Sequence, residues 1–95
     1  MRIEVRREHT LPKDEAKRRA EAITAPIRDS FHANAQWYGD RYVFHVPEGL
    51  AKDVGGYVNV DAREVHVLID LPRMLSVLRD SVETEIRKKL AELLP

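Results

Sequence analysis

The fold of this chain is decided by one stretch, residues 55–94, which reads GGYVNVDAREVHVLIDLPRMLSVLRDSVETEIRKKLAELL. Its first half alternates apolar and polar residues on both sides of Asp61–Glu64, a pattern that predicts a β-hairpin turning there. Alternate residues of a strand point the same way, so one face of the hairpin carries the apolar side chains. These are Val58, Val60, Val65, Val67, Ile69 and Leu71.

The second half of the stretch predicts an amphipathic helix that begins at Pro72. Proline suits a first turn because its missing N–H would have no partner inside the helix. Apolar residues then recur every three or four positions, and we expect this stripe to pack on the hairpin. The stripe consists of Leu75, Leu78, Val82, Ile86, Leu90 and Leu93. Glu83 with Arg87 and Glu85 with Lys89 have the spacing of ion pairs on a solvated face.

Upstream, the sequence predicts a strand and then a helix. Residues 2–8 alternate so that Ile3 and Val5 share one side, which indicates a half-buried strand. A hydroxyl, a proline and two carboxylates in residues 10–15 predict a helix that begins close to Pro12. Its buried stripe is Ala16, Ala20, Ile23, Ile27 and Phe31. Pro26 interrupts the stripe, and we expect a kink or break near residues 24–25.

Residues 33–46 predict a second hairpin, which turns at Gly39-Asp40. That turn sets Trp37 opposite Tyr42 and Ala35 opposite Phe44, so that aromatic and small residues pair across one face.

Two adjacent glycines, Gly55-Gly56, follow the loop 47–53 and open the next strand. They lack the flanking residues of a phosphate-binding loop. They indicate a strand bend, a bulge, or a slot over which a bulky side chain such as Phe44 packs.

The element order that follows is β-α-β-β-β-β-α. The fold class is α+β: one antiparallel sheet with both helices packed on one face, the position of the first strand in the sheet being left open by the pattern. A chain of 95 residues is long enough for a single domain, residues 1–95, with one modest core.

Composition narrows the classes of function. Sixteen basic and sixteen acidic residues cancel, which argues against nucleic acid or an anionic membrane as a partner. The chain has no cysteine, so it has neither a disulfide framework nor a thiolate metal site. We expect no transmembrane segment and no signal peptide, and therefore a cytoplasmic protein.

No catalytic or metal-binding constellation is recognisable. The four histidines, His9, His32, His45 and His66, have no spacing that suggests a metal site. The serines Ser30, Ser76 and Ser81 have no glycine-rich elbow or evident base nearby. We expect no cofactor and no enzymatic activity.

The outward face of the predicted sheet is the candidate interaction face. The alternation that sends the valines inward sends six residues outward among polar neighbours: Tyr38, Val43, Tyr57, Leu68, His45 and His66. If these side chains are contiguous, they form a patch for a partner or for a second copy of the chain. A solvated sheet surface is the alternative.

Three pieces of sequence, in order, carry a resemblance to a known family. They are H-[ST]-L-x-x-[DE]-E-A at His9 to Ala16, W-x-G-D at Trp37 to Asp40, and a closing amphipathic helix with E-x-x-I-R-K-K-L at Glu83 to Leu90. Together they resemble the polyhydroxyalkanoic acid system family over essentially the whole chain. Pro12 stands where the family pattern leads us to expect a capping serine or similar residue.

The resemblance implies a non-enzymatic accessory protein of polyhydroxyalkanoate storage-granule metabolism, cytoplasmic and acting at the granule surface. The partners it implies are phasin or another granule protein, and we add homo-oligomerisation as an expectation. The matching pieces form the fold, so the resemblance transfers no active-site residue.

Two alternatives stay open. The first is a small apolar-ligand (acyl-chain) binding domain of helix-grip type, which needs an apolar pocket between Trp37, Phe44 and the last helix. The second is a regulatory or nucleic-acid-binding module. This second alternative needs a basic patch formed by Arg2, Arg6, Arg7, Arg18, Arg19 and Arg41.

Overall fold

A computed structural model describes residues 1–49 and 52–94, apart from the side chains of Ile27, Ser30 and Phe31. It confirms the α+β class and the element order. The elements are β1 (Arg2–Glu8), α1 (Lys13–Phe31), β2 (Asn34–Tyr38), β3 (Arg41–His45), β4 (Gly55–Val60), β5 (Glu64–Asp70), a 3₁₀ helix (Arg73–Leu78) and α2 (Arg79–Leu93).

The strands form one antiparallel sheet in the order β1-β5-β4-β3-β2. The first strand therefore lies at an edge, beside β5, with Ile3 opposite Ile69 and Val5 opposite Val67. Helix α1 packs against β4, α2 packs against β1, and the two helices contact each other. Both helices thus cover the face that carries the buried valines, and the other face of the sheet is left open.

Both predicted hairpins have the predicted register. In the β4–β5 hairpin Val58 lies opposite Val67, and the six apolar residues expected on its inner face are all buried. In the β2–β3 hairpin Trp37 lies opposite Tyr42, and their ring centres are 5.0 Å apart. Gly39 has a φ of +62°, the conformation that a tight hairpin turn requires and that glycine adopts without strain.

Gly56 lies where two strand backbones approach closely. It pairs with Phe44 on one side and with Ile69 on the other. A Cβ added at Gly56 would overlap the Leu68 carbonyl oxygen and would lie 2.9 Å from Ile69 Cα. The absence of a side chain is therefore what allows β4 to sit against β5 at this point.

Helix α1 is continuous from Lys13 to Phe31, so, of the kink or break predicted near residues 24–25, the break is wrong. Pro26 lies close to the end of the helix, where it withholds one hydrogen bond from the preceding turn. The Thr24 hydroxyl donates to the Glu21 carbonyl oxygen at 3.0 Å. Ala16, Ala20 and Ile23 are buried as predicted, whereas the side chains of Ile27 and Phe31 lie outside the described set. Helix α1 packs against β4 and α2, and tertiary packing of this kind supports helices that their sequences alone do not favour.

The last helix differs from the prediction in its first turns. Pro72 is followed by the 3₁₀ helix, and the α-helix begins at Arg79. Ile86 and Leu90 are buried as expected, but Leu78 is 46% exposed, so its assignment to the buried stripe is wrong. A 3₁₀ helix has three residues per turn instead of 3.6, and this change of period rotates its side chains away from the stripe.

Candidate interaction surfaces

The predicted interaction face lies on the side of the sheet opposite the helices. Strand register places Val43, Tyr57 and Leu68 directly beside one another across β3, β4 and β5. His66 is one facing pair further along β5, opposite Asn59. The structure brings these four residues together and leaves Tyr38 and His45 at the two ends of the β2–β3 hairpin.

Polar side chains cover much of this apolar row. The Arg41 guanidinium carbon lies 4.1 Å from the centre of the Tyr57 ring, and the His66 ring packs edge-on to it with the ring centres 5.7 Å apart. Leu68 is only 9% exposed, whereas Tyr38 is 62% exposed. The face is therefore less apolar at its surface than the alternation indicates. That it binds a partner stays a prediction.

A cluster of charged side chains lies at the β1 side of this face. Arg6 pairs with Glu64 at 2.8 Å and with Glu4 at 3.3 Å, and its hydrogen bond to Glu64 raises the pKa of its guanidinium. His66 Nε2 lies 3.2 Å from Glu4 Oε1, although this buried nitrogen forms no hydrogen bond in the described part of the chain. These charges largely satisfy one another, so the cluster offers little net charge to a ligand.

The most exposed apolar side chains lie elsewhere, on the 3₁₀ helix. Met74 is 78% exposed, Val77 is 83% exposed and Leu78 is 46% exposed. Residues three apart stack on one side of a 3₁₀ helix, so Met74 and Val77 share a face. We call these three residues the 74–78 surface. The sequence contained a signal for it, because LPRMLSVL carries more apolar residues than a single helical stripe can bury.

An apolar groove of about 330 Å³ continues from the 74–78 surface between α1 and α2. Ile23 and Pro26 of α1 form one wall, and the other wall is built from the end of the 3₁₀ helix and from α2. The groove residues on the other wall are Leu78, Ser81, Val82, Glu85, Ile86 and Lys89.

Of the two ion pairs that the sequence predicts on α2, the described part of the chain contains one, Glu83 with Arg87. Among the described residues, Glu85 and Lys89 form no salt bridge with each other, whereas Glu83 pairs with Arg79 at 3.5 Å and approaches Arg87 at 4.0 Å. Glu85 and Lys89 therefore remain available at the rim of the groove.

The groove is not in the position that a helix-grip ligand site requires. Phe44 is buried in the core. Trp37 contacts Tyr42 on one side, and Lys17 lies over its ring at 4.7 Å from the ring centre. The apolar groove lies between the helices and involves neither Trp37 nor Phe44, so it is not the pocket that the helix-grip alternative needs.

The six arginines considered for a basic patch are dispersed. Arg2 and Arg6 pair with carboxylates on the open face of the sheet, Arg2 with Asp70 and Arg6 with Glu64. Arg18 pairs with Glu15 on α1. The remaining three have other contacts. The Arg41 guanidinium lies over the Tyr57 ring, and Arg7 and Arg19 donate hydrogen bonds to the carbonyl oxygens of Leu94 and Leu93. A nucleic-acid interface would need these charges on one side.

Two of the sequence pieces that carry the family resemblance contact each other. They are W-x-G-D at Trp37 to Asp40 and the piece at His9 to Ala16, which contains Lys13. In W-x-G-D, Asp40 accepts a hydrogen bond from Lys13 Nζ at 2.9 Å, and Lys17 Nζ donates to the Gly39 carbonyl at 2.9 Å. The hairpin turn is thus attached to the first turns of α1. Lys13 lowers the pKa of the Asp40 carboxyl, which keeps this attachment charged.

The remaining titratable groups form no metal site in residues 1–49 and 52–94, where no three His, Asp or Glu side chains are grouped to hold an ion. His9 is buried and uses both ring nitrogens in hydrogen bonds to the backbone. Across the same residues, none of the helices has the length and apolar character needed to cross a membrane.

These features define a small α+β domain with one open sheet face and an exposed apolar surface beside its last helix. A protein-family model described as "Putative polyhydroxyalkanoic acid system protein" matches residues 3–94. The chain belongs to this family, and the resemblance noted in the sequence is confirmed. No curated protein and no solved structure matches the chain.

Proposed function

We propose that the protein is a non-enzymatic accessory protein of polyhydroxyalkanoate storage-granule metabolism, which works in the cytoplasm by binding granules or a granule protein such as phasin. Family membership over residues 3–94 supports the metabolic setting. The exposed 74–78 surface is the observation that carries the proposed mode of action.

The 74–78 surface has the physical character of a contact site. Isolated exposed apolar residues are common on proteins, but contiguous ones beside an apolar groove mark interaction sites. Met74 suits such a surface because its flexible thioether side chain adapts to different partners. Burying this surface against an apolar granule coat, or against the apolar face of a phasin helix, removes it from water without unpacking the core.

The experiment is cosedimentation of the purified protein with isolated granules, either carrying their protein coat or stripped of it. We expect binding to at least one form. Binding to coated granules alone identifies a protein partner, and binding to stripped granules identifies the polymer surface. If the protein sediments with neither, the proposed function is wrong.

The surface is tested by Met74→Glu combined with Val77→Glu, which places two charges where burial is required. Both residues are largely exposed, so the fold is expected to tolerate the change. The matched control is Thr84→Glu combined with Ala91→Glu, two exposed positions on α2. We expect loss of binding in the first variant and full binding in the control. Equal binding by both would exclude the 74–78 surface.

A second candidate function is binding of an acyl chain, which the groove between α1 and α2 favours. Its volume of about 330 Å³ is at the lower end of the range of small-molecule sites. Lys89 at the rim would meet a carboxylate head group while Leu78 and Val82 contact the chain. Equilibrium dialysis with labelled dodecanoate tests this: saturable binding weakened by Val82→Glu supports it, and absence of bound dodecanoate excludes it.

A further inference from the structure

The two edges of the sheet are built differently. Edge strand β1 reads RIEVRRE and is charged at most of its positions, whereas edge strand β2 reads NAQWY and carries no charge at all. Proteins commonly protect a sheet edge with charged side chains, because an unprotected edge pairs with another strand. Strand β2 lacks that protection, and β3 is the one strand paired with it in the described part of the chain.

The hairpin turn determines which backbone groups of β2 are free. In a two-residue hairpin the pair that flanks the turn, here Tyr38 and Arg41, exchanges hydrogen bonds, and bonded and non-bonded pairs then alternate along the strands. Gln36 accordingly bonds to β3, whereas the N–H and C=O groups of Ala35 and Trp37 point away from the sheet. The free edge therefore offers the backbone N–H and C=O groups of two residues, Ala35 and Trp37, to a neighbouring strand.

We propose that β2 pairs antiparallel with β2 of a second copy of the chain about a two-fold axis at Gln36, so that two sheets join into one. In this register Ala35 lies opposite Trp37 of the other copy, which matches the outward-pointing backbone groups of both residues. Alanine also leaves room for the indole ring. On the open face the two Gln36 amides meet, and each amide can both donate and accept.

The strand that pairs with β2 belongs to a second copy of the chain rather than to an unrelated peptide, because this edge is complementary to itself. A two-fold axis places a central side chain directly against its own counterpart, so a charge at position 36 would repel its copy. Gln36 is neutral and exposed. The strand is also held in place before pairing, since Trp37 Nε1 donates to Glu21 Oε1 at 3.3 Å and Lys17 lies over the indole ring.

Sedimentation velocity over a range of protein concentrations tests this proposal directly. The wild-type chain is expected to form a dimer. Gln36→Lys is expected to weaken the dimer by up to about fivefold, because like charges directly opposite each other are destabilising. The control Thr84→Lys makes the same charge change at an exposed position of α2 and is expected to leave the dimer intact.

A charge swap tests the register. Gln36→Glu alone is expected to weaken the dimer as Gln36→Lys does, whereas an equimolar mixture of the two variants is expected to dimerise more tightly than either variant alone, since opposite charges then meet across the axis. A monomeric wild-type chain overturns the proposal. A dimer that Gln36→Lys leaves unchanged, or a mixture that dimerises no more tightly than either variant alone, overturns it as well. The result is independent of granule binding, which is measured separately.

Discussion

His9 Nε2 donates a hydrogen bond to the Asp61 backbone carbonyl at 2.9 Å, while its Nδ1 accepts one from the Leu11 N–H at 3.2 Å. Both ring nitrogens are thus used, and the ring is nearly excluded from water, at 5% exposure. One side chain thereby connects the end of β1, the turn between β4 and β5, and the chain leading into α1. This is a structural reason for a histidine in the first of the family-like sequence pieces.

His9→Ala is expected to destabilise the fold by about 1–3 kcal/mol, because the partly buried Asp61 carbonyl and Leu11 N–H each lose a hydrogen-bond partner. Urea unfolding measures the loss. Two further variants separate the contributions of the two hydrogen bonds to this loss. His9→Gln reproduces the donor to Asp61, and His9→Asn reproduces the acceptor for Leu11. Each is expected to fall between wild type and His9→Ala. If both equal His9→Ala, packing of the ring rather than hydrogen bonding is what matters.

The carbonyl groups at the end of α2 have arginine partners from two other elements. Arg19 of α1 donates to the Leu93 carbonyl at 2.8 Å, and Arg7 of β1 donates to the Leu94 carbonyl at 2.9 Å. The last carbonyls of a helix have no partner within it, so these contacts satisfy groups that would otherwise need water. They fasten the end of α2 to both α1 and the sheet.

Arg19→Met is expected to lower the free energy of unfolding by about 1 kcal/mol, since methionine keeps the apolar stem but loses the donors. The neighbouring Arg18→Met is the control. Arg18 forms one ion pair with the described residues, to Glu15, and its side chain is 76% exposed, so its replacement is expected to change stability by less than about 0.5 kcal/mol. Chemical denaturation distinguishes the two. Equal losses would mean that the contact with Leu93 does not stabilise the helix end.

Asp61 provides a pH-dependent contribution at the β4–β5 turn. Its carboxylate accepts hydrogen bonds from the Arg63 and Glu64 N–H groups at 2.8 and 2.7 Å, and these bonds lower its pKa. A pKa lowered by folding stabilises the protein above the ordinary aspartate pKa of about 3.9, and that stabilisation is lost as the pH falls through the lower, folded value.

Asp61→Asn keeps an acceptor for both N–H groups but cannot titrate. We expect wild type to be more stable than Asp61→Asn at neutral pH, with the difference shrinking as the pH falls below about 3.9. Urea midpoints measured for both proteins at each pH give this difference, in which the acid titration of other groups, such as Asp40, cancels. A difference that does not vary with pH would contradict the assignment.

The parts of this fold that the sequence predicts correctly are those decided by neighbouring residues. The hairpin registers follow from the turns at Gly39 and Asp61 and from alternation on each side. The placement of β1 depends on contact between residues far apart in sequence, such as Ile3 with Ile69. Alternation shows that β1 has a buried face but contains no information about which strand lies beside it.

The errors in the helices arise from tertiary packing. The penalty of Pro26 predicts a kink or break, yet α1 is continuous and packs against β4 and α2. The regular stripe places Leu78 in the core, yet the 3₁₀ helix turns it partly outward. Met74 and Val77 already lie outside the predicted stripe. The sequence shows an excess of apolar residues in residues 71–78, but it does not show that Leu78 joins these two on one exposed surface.

Gly56→Ala is expected to destabilise the protein more than its single added methyl group suggests. The new Cβ would overlap the Leu68 carbonyl oxygen and approach Ile69 Cα to 2.9 Å, and both are backbone atoms that cannot rotate away. Strands β4 and β5 would have to separate in the middle of the sheet. We expect a loss of about 1–3 kcal/mol, the usual range for an overpacked interior.

Gly55→Ala is the matched control for Gly56→Ala. The two glycines are adjacent in the same strand, but the nearest atom to a Cβ at Gly55 is the Phe44 carbonyl oxygen at 3.2 Å, a contact that a shift of a few tenths of an ångström relieves. A strand residue other than glycine also loses less backbone entropy on folding, which offsets part of that strain. Thermal or urea unfolding should therefore show a much smaller effect at position 55. Equal effects at both positions would mean that backbone flexibility of the Gly-Gly pair, and not the close approach of β4 to β5, is the property that the fold requires.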